Sequence, residues 1–342
     1  SDIKAAVDEY WPDDATEPVQ SAREKYGYIR DWDVSLVTDM GDLFKDKQQF
    51  DEDISGWNVS NVINMENMFC STNIQINLEF NQPISNWDVS NVINMENMFR
   101  NTKAFDQPIG NWNVSNVKNM IGMFEFTNFN QPVGNWDVSN VTSMDMMFGN
   151  GIFNQDISNW NVSNVKTMTI MFNGARNFNQ PIGNWDVSNV TDMGFMFNVA
   201  QLFNQPIGNW DVSNVKDMRF MFYKATSFNK PIGDWNVSNV ESTYYMFGDA
   251  HKFNQPIGNW NVSKVSTFYQ MFNSATEFLN YYGVTKTPDP AFWNRFTDSD
   301  IKAAVDEYWP DDATEPVQSA REKYGYIRDW DVSLVTNMGD LF

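Results

Sequence analysis

Apolar residues recur along this chain in a fixed rhythm, and residues 178–203, FNQPIGNWDVSNVTDMGFMFNVAQLF, show it most cleanly. In the second half of that stretch Val190, Met193, Met196, Phe197, Ala200 and Phe203 fall three to four apart. Such spacing predicts one apolar stripe along a short helix of about three turns or fewer. The stripe returns at Val215, Met218, Met221, Phe222 and Ala225. Asn189 or Ser188 stands where an N-cap belongs, and Asp192 suits the positive end of a helix dipole. The first half has a different period. Trp185 and Val187 alternate with Asp186, which predicts a short strand with Trp and Val inward and the Asx outward, entered through the turn-forming NQPIGN.

The pattern repeats with little change in length. Trp32, Trp57, Trp87, Trp112, Trp136, Trp160, Trp185, Trp210, Trp235 and Trp260 are separated by steps of 25, 30, 25, 24, 24, 25, 25, 25 and 25 residues. A period of this size is the mark of a solenoid, in which each unit buries its apolar face on its neighbours. About ten coils are expected, each with a short parallel strand and a short helix, strands roughly 4.7–4.9 Å apart and the ten tryptophans in one internal ladder. Outward on the strand run Asp33, Asn58, Asp88, Asn113, Asp137, Asn161, Asp186, Asp211, Asn236 and Asn261. Aligned carboxylates repel, so interleaved amides relieve this row, which is read as a solvated Asx ladder rather than a ligand row. A second row, Asn61, Asn91, Asn116, Asn140, Asn164, Asn189, Asn214 and Asn239, is broken by Lys264 and is expected to bond backbone groups of adjacent coils.

A longer repeat frames the shorter one. Residues 1–44 return at 299–342 with a single change, Asp39 to Asn337, so a module of 298 residues is followed by the opening of the next. This reads as a window on a longer tandem array. Segments 2–10 and 17–26 read as short helices, giving a helical N-terminal cap over 1–31, a repeat region over 32–272 and a C-terminal cap and joint over 273–298. Tyr281, Tyr282, Phe292, Trp293 and Phe296 are the aromatics of that joint, and no Gly/Ser-rich spacer separates it from the next module.

Composition narrows the function. A net charge of −21 and a pI near 4.3 argue against nucleic acid and anionic membranes as partners. No run approaches the roughly 18 apolar residues of a membrane span. Cys70 is the only cysteine, so no disulfide framework can form within one chain; His251, the only histidine, lies in the loop-like GDAHKF with no repeat partner, no HExxH, P-loop or GxGxxG occurs, and no enzyme activity is expected. No cofactor is expected either; calcium is the one candidate, since Asp13 with Asp14, or Asp51 with Asp53, could supply oxygen ligands. Sequons begin at Asn58, Asn113, Asn140, Asn161, Asn189, Asn236 and Asn261. Those at Asn58, Asn113, Asn161, Asn236 and Asn261 lie in the outward row and are the better glycan acceptors.

The words WDVSNVTDMGFMF and FNQPIGNW resemble the repeats of BspA-like leucine-rich-repeat surface proteins, over residues 31–272. The resemblance implies a leucine-rich-repeat-like α/β solenoid, a cell-surface or secreted location, a role in adhesion or surface architecture, and no catalytic residue. The opening, IKAAVDEYWPDDATEPVQSAREKYGYI, is similar to the segment that precedes such repeats in algal and protist members. Residues 70–79 depart from the pattern and are expected to bulge. Two functions fit: an extracellular structural protein whose modules join end to end into a fibre, appendage or surface layer, and an adhesin that binds glycans or surface proteins through the Asx-rich face. A receptor-binding repeat protein should vary on one exposed face, whereas a building material can stay uniform.

Overall fold

A computed structural model describes residues 2–293 apart from residues 14, 259 and 289, and beyond them residues 302, 305–310, 315–318, 320 and 327. Phe296 and most of the second copy, 299–342, lie outside the described residues.

The expected strand and helix of each coil do not form. Between residues 32 and 272 no described residue belongs to a helix or a strand, so the α/β leucine-rich-repeat-like solenoid is not the architecture of this chain. A coil is instead a succession of four-residue turns. In the reference coil Trp185 N–H donates to Ile182 C=O (3.2 Å), Val190 to Val187 (2.9 Å), Met196 to Met193 (3.1 Å), Ala200 to Phe197 (3.0 Å) and Phe203 to Ala200 (3.1 Å). Buried side chains therefore sit three residues apart because they stand at successive turn corners. That spacing is also the spacing of an amphipathic helix, which is why the pattern misleads.

Two backbone features exclude the helix. Phe195 and Val199 both have φ of 60°, and the same pair of left-handed residues recurs at Met146 and Asn150, Phe220 and Lys224, and Tyr245 and Asp249. Left-handed residues four apart interrupt any right-handed helix. The amides of Met193, Phe195, Phe197 and Val199 are in addition spent on the next coil, donating to the carbonyls of Asp217, Arg219, Met221 and Tyr223 at 2.7–3.1 Å. Alternate amides thus close turns within a coil and rungs between coils. The Trp-Asx-Val segment keeps the alternating burial of a strand, but its Trp amide closes a turn and no described bridge falls on it. Isolated parallel bridges lie instead seven residues after each Trp from Trp32 to Trp235, from Asp39 and Asn64 through Asp192 and Asp217 to Ser242.

Side chains stack in columns through the middle of the coils. Phe44, Phe69, Phe99, Phe124, Phe148, Phe172, Phe197, Phe222, Phe247 and Phe272 form one column with centroids 5.4–5.9 Å apart. Each stacks at 3.8–4.1 Å on a second Phe of its own coil. Trp57 to Trp260 form a third column, and each indole N–H donates to the Ile or Val carbonyl of the coil before it at 2.8–3.2 Å. Trp32, in the first coil, is half-buried and its Nε1 has no such acceptor. Differences in coil length fall at one corner, between the two Phe columns. Their members are six residues apart at Phe172 and Phe178, five at Phe124 and Phe129, and eleven at Phe69 and Phe80, while the rings stay stacked. The extra residues of 70–79 leave at that corner, with Ile74 exposed and Leu78 tucked back into the interior.

Both ends of the stack are covered. Helices α1 (Asp2–Tyr10) and α2 (Gln20–Tyr26) lie at the first coil, where Tyr10 meets Trp32 edge-on at 5.3 Å and Trp11 meets Phe50 at 5.3 Å. Lys47, only 2% exposed, reaches Asp8 (3.0 Å) and Asp13 (3.1 Å) to tie this cap down. At the other end α3 (Thr276–Tyr282) is followed by a segment that substitutes for a further coil. Phe272 N–H donates to Lys286 C=O (2.9 Å), Gln270 N–H to Thr287 Oγ1 (3.0 Å), and Trp293 stacks on Trp260 at 6.2 Å and 4°. Of the joint aromatics, Tyr282 and Trp293 are buried and Tyr281 and Phe292 half-buried; Tyr282, Phe292 and Trp293 pack on this chain's own last coils.

Candidate binding surfaces

The outward row is exposed along its length, from Asp33, Asn58, Asp88, Asn113 and Asp137 to Asn161, Asp186, Asp211, Asn236 and Asn261. Every member turns Oδ1 back to the amide two residues on, at 3.0–3.2 Å. This is the Asx-turn. The row closes ten identical corners within the coils. The Ser35 hydroxyl, and after it the Ser35 amide, holds the Asp33 carboxyl below the usual range; Ser90, Ser139 and Ser213 do the same for Asp88, Asp137 and Asp211.

Beside it the corner asparagines bond from coil to coil. Each Nδ2 from Asn61 to Asn239 donates to the Ser carbonyl of the preceding coil at 2.7–2.8 Å, and at the break Lys264 Nζ reaches Asn239 Oδ1 (2.6 Å). Asn140 and Asn189 belong to this row, so a glycan there would displace a rung. In the outward row Asn58, Asn113, Asn161, Asn236 and Asn261 use Oδ1 for their turns and present the amide nitrogen to solvent.

A further ladder escaped the sequence reading, which took FNQP only as turn chemistry. Asn81 N–H donates to Asp51 Oδ1, Asp106 N–H to Asn81 Oδ1, and so on through Asn130, Asn154, Asn179, Asn204 and Asn229 to Asn254, at 2.8–3.1 Å. The recurrence of one Asn directly after the second Phe in nearly every repeat is the signal that could have revealed it.

The remaining candidates are occupied by structural contacts. Asp13 is bonded by Lys47, Asp51 by Asn81 and Asp53 by the Ser55 amide, while Asp14 lies outside the described residues; no group of three metal-ligating side chains occurs among the described residues. His251 Nδ1 lies 2.8 Å from Ser274 C=O, joining the last coils. Burial pushes the Cys70 thiol up to about 11, with Arg100, Asp46 and Lys45 around it.

Variation gathers on one edge. The two residues inside each Met-x-x-Met word, whose first Met is Thr243 or Phe268 in the last two coils, stand one above another, beginning Glu66–Asn67, Glu96–Asn97 and Ile121–Gly122, continuing Asp145–Met146, Thr169–Ile170 and Gly194–Phe195, and ending Arg219–Phe220, Tyr244–Tyr245 and Tyr269–Gln270. The second of each pair is the left-handed residue, so its side chain projects from the turn. Toward the C-terminal end the edge becomes aromatic. Phe195 and Phe220 stack at 4.7 Å, Phe220 and Tyr245 at 5.2 Å and Tyr244 and Tyr269 at 5.6 Å, with Arg219 5.9 Å from the Phe195 ring and Lys224 5.0 Å from Tyr223. Tyr269 is 51% exposed.

Ten coils bonded to one another by the same rungs define a tandem-repeat protein. The chain matches the family model described as Mycoplasma protein of unknown function, DUF285, over residues 14–128, 115–201 and 175–285, and it belongs to that family. The three overlapping matches follow the coils from the N-terminal cap to α3. No curated protein matches the chain, and no solved structure does. No described helix is long and apolar enough to cross a membrane.

Proposed function

We propose that this chain belongs to a non-enzymatic protein displayed at the cell surface or outside the cell, in which tandem modules join end to end into a long fibre, appendage or surface layer. The observation that carries the reading is the return of residues 1–44 at 299–342, which places the opening of a second module directly after the first. The internal ladders support it, since columns of stacked Phe and Trp and coil-to-coil rungs make each module a rigid spacer. Family membership agrees with a repeat protein, and the likeness of FNQPIGNW to BspA-like repeats supplies the surface location. Negative-stain electron microscopy of two consecutive modules across protein concentration tests it. Ordered fibres with a fixed axial repeat are expected, and isolated rods at every concentration would overturn the reading.

A second reading, an adhesin, is favoured by a different observation. The Asx row spends its oxygens on its own turns, but the Met-x-x-Met edge varies from coil to coil, as a recognition surface does, and ends in half-buried aromatics and the exposed Tyr269. A glycan and surface-protein array probed with the intact chain separates the two, because a fibre-forming module should bind nothing beyond itself.

A further inference from the structure

The variable edge runs from acidic to aromatic and cationic, with its apolar members in the middle. Near the N-terminal end Glu66 and Glu96 receive only amide hydrogen bonds, Glu66 from Asn67 (3.4 Å) and Asn94 (3.1 Å) and Glu96 from Asn119 (2.8 Å), and no described ion pair includes either. Past the middle come Arg219, which gives its Nε to Asp217 of its own coil (3.0 Å) and leaves a half-exposed guanidinium with further donors, then Lys224 and the ring edges of Phe220 and Tyr245, and aromatic edges are electropositive. Between these halves Ile121, Met146 and Ile170 are half-buried side chains, and Phe195 is half-buried against Phe220 and Arg219.

Reversing one copy and laying its edge on another brings unlike halves together twice. Centred between the fifth and sixth coils, this antiparallel register sets Glu96 against Arg219 and Glu66 against Tyr244, and Met146 against Ile170 at the centre. A two-fold axis in the plane of contact keeps each residue at the same lateral position, so every pairing occurs on both sides. An apolar centre with a charged periphery is the anatomy of a specific interface. We propose that this edge is a self-complementary docking surface and that its occupant is a second copy of the chain, bound antiparallel.

The pairing is distinct from end-to-end joining. A two-fold contact closes on itself and stops at a pair, whereas an end contact grows open chains, so either can fail without the other. The edge is narrow: eight coils at about 4.8 Å span roughly 35–40 Å, which makes a small interface and a weak dimer. In a tandem array the weakness is offset, since each module that docks raises the effective concentration of the next.

Sedimentation of the 342-residue chain, followed to about 1 mM, tests the proposal. A monomer–dimer equilibrium that weakens with salt is expected. Glu96→Arg and Arg219→Glu should each weaken it about tenfold or more, since both place like charges in contact. Mixing the two variants in equal amounts should restore pairing as a heterodimer, because each meets its complement at both contacts. Circular dichroism melts check that the single variants are folded. A chain that stays monomeric throughout, single variants that pair as the parent does, or a mixture with no recovery would overturn the proposal. So would saturable binding of a glycan or an unrelated protein at this edge while the chain remains monomeric.

Discussion

Replacing Phe172 by Ala is the sharpest test of the stacked-column core. Its ring is fully buried and lies 3.8 Å from Phe178, 5.9 Å from Phe148, 5.8 Å from Phe197 and 6.4 Å from Trp185. Removing a buried Phe costs about 3–5 kcal/mol, and a ring pair about 0.5–1.5 kcal/mol beyond its area. Four ring contacts are lost here, so the loss should sit at the upper end, about 4–5 kcal/mol, which is a large part of the stability of an ordinary domain. Urea unfolding followed by tryptophan fluorescence reads it. Because coils hold together through nearest neighbours, the gap should also uncouple the two halves and split or broaden the transition. A double-mutant cycle with Phe197→Ala should show coupling of about 0.5–1.5 kcal/mol. A loss below about 1.5 kcal/mol with one sharp transition, or additivity with Phe197→Ala, would refute the account of the columns as the continuous core.

Other outcomes follow from single positions. A Cβ on Gly183 would sit 2.1 Å from Pro206 C=O, so Gly183→Ala should destabilise by about 1–3 kcal/mol, whereas Gly56→Ala, with open space around it, should be nearly neutral in the same melts. Cys70 is 2% exposed and its thiol is pushed up to about 11, so it should resist a thiol reagent at pH 8 until urea unfolds the coil; rapid labelling of the native protein would contradict this. Asp33, Asp88, Asp137 and Asp211 are held below the usual carboxylate range. A lowered folded value gives stability that is present above the unfolded value and lost as pH falls through the folded one. Thermal melts should therefore weaken below about pH 4, and changing the four to Asn, which closes the same turn, should flatten that decline.

The repeat, its coil count and its inward residues were legible because Trp, Val, Met and Phe recur at fixed offsets. The elements between them were not. Met193, Met196 and Ala200 are spaced for a helix, and only the left-handed backbone of Phe195 and Val199 shows that they stand at turn corners. Neither residue advertises that conformation, since bulky side chains are rarely left-handed. The Asx row was legible as exposed but not as self-satisfied, because a bond to the amide two residues on leaves no mark in the spacing. The variable edge was masked by the same misreading: as the outer face of a helix, GF, RF and YY look like solvated filler, whereas stacked turns align them into one surface.

The corner between the two Phe columns has a consequence for how such a chain can change. Rungs at matching positions bind neighbouring coils from the bridge residues as far as the second residue after the first Phe, as at Val199 and Tyr223, so an insertion or deletion of one residue there would throw the turns beyond it out of step. At this corner the chain has already lost one residue at Phe124 and Phe129 and gained five at Phe69 and Phe80, and the rings still meet. It is the slack point of the coil. A foreign peptide spliced in after Ala175, beyond the rung residues Asn173 and Gly174, should be carried on the outside like a flag on a mast, one permitted site per coil, at intervals fixed by the stack itself.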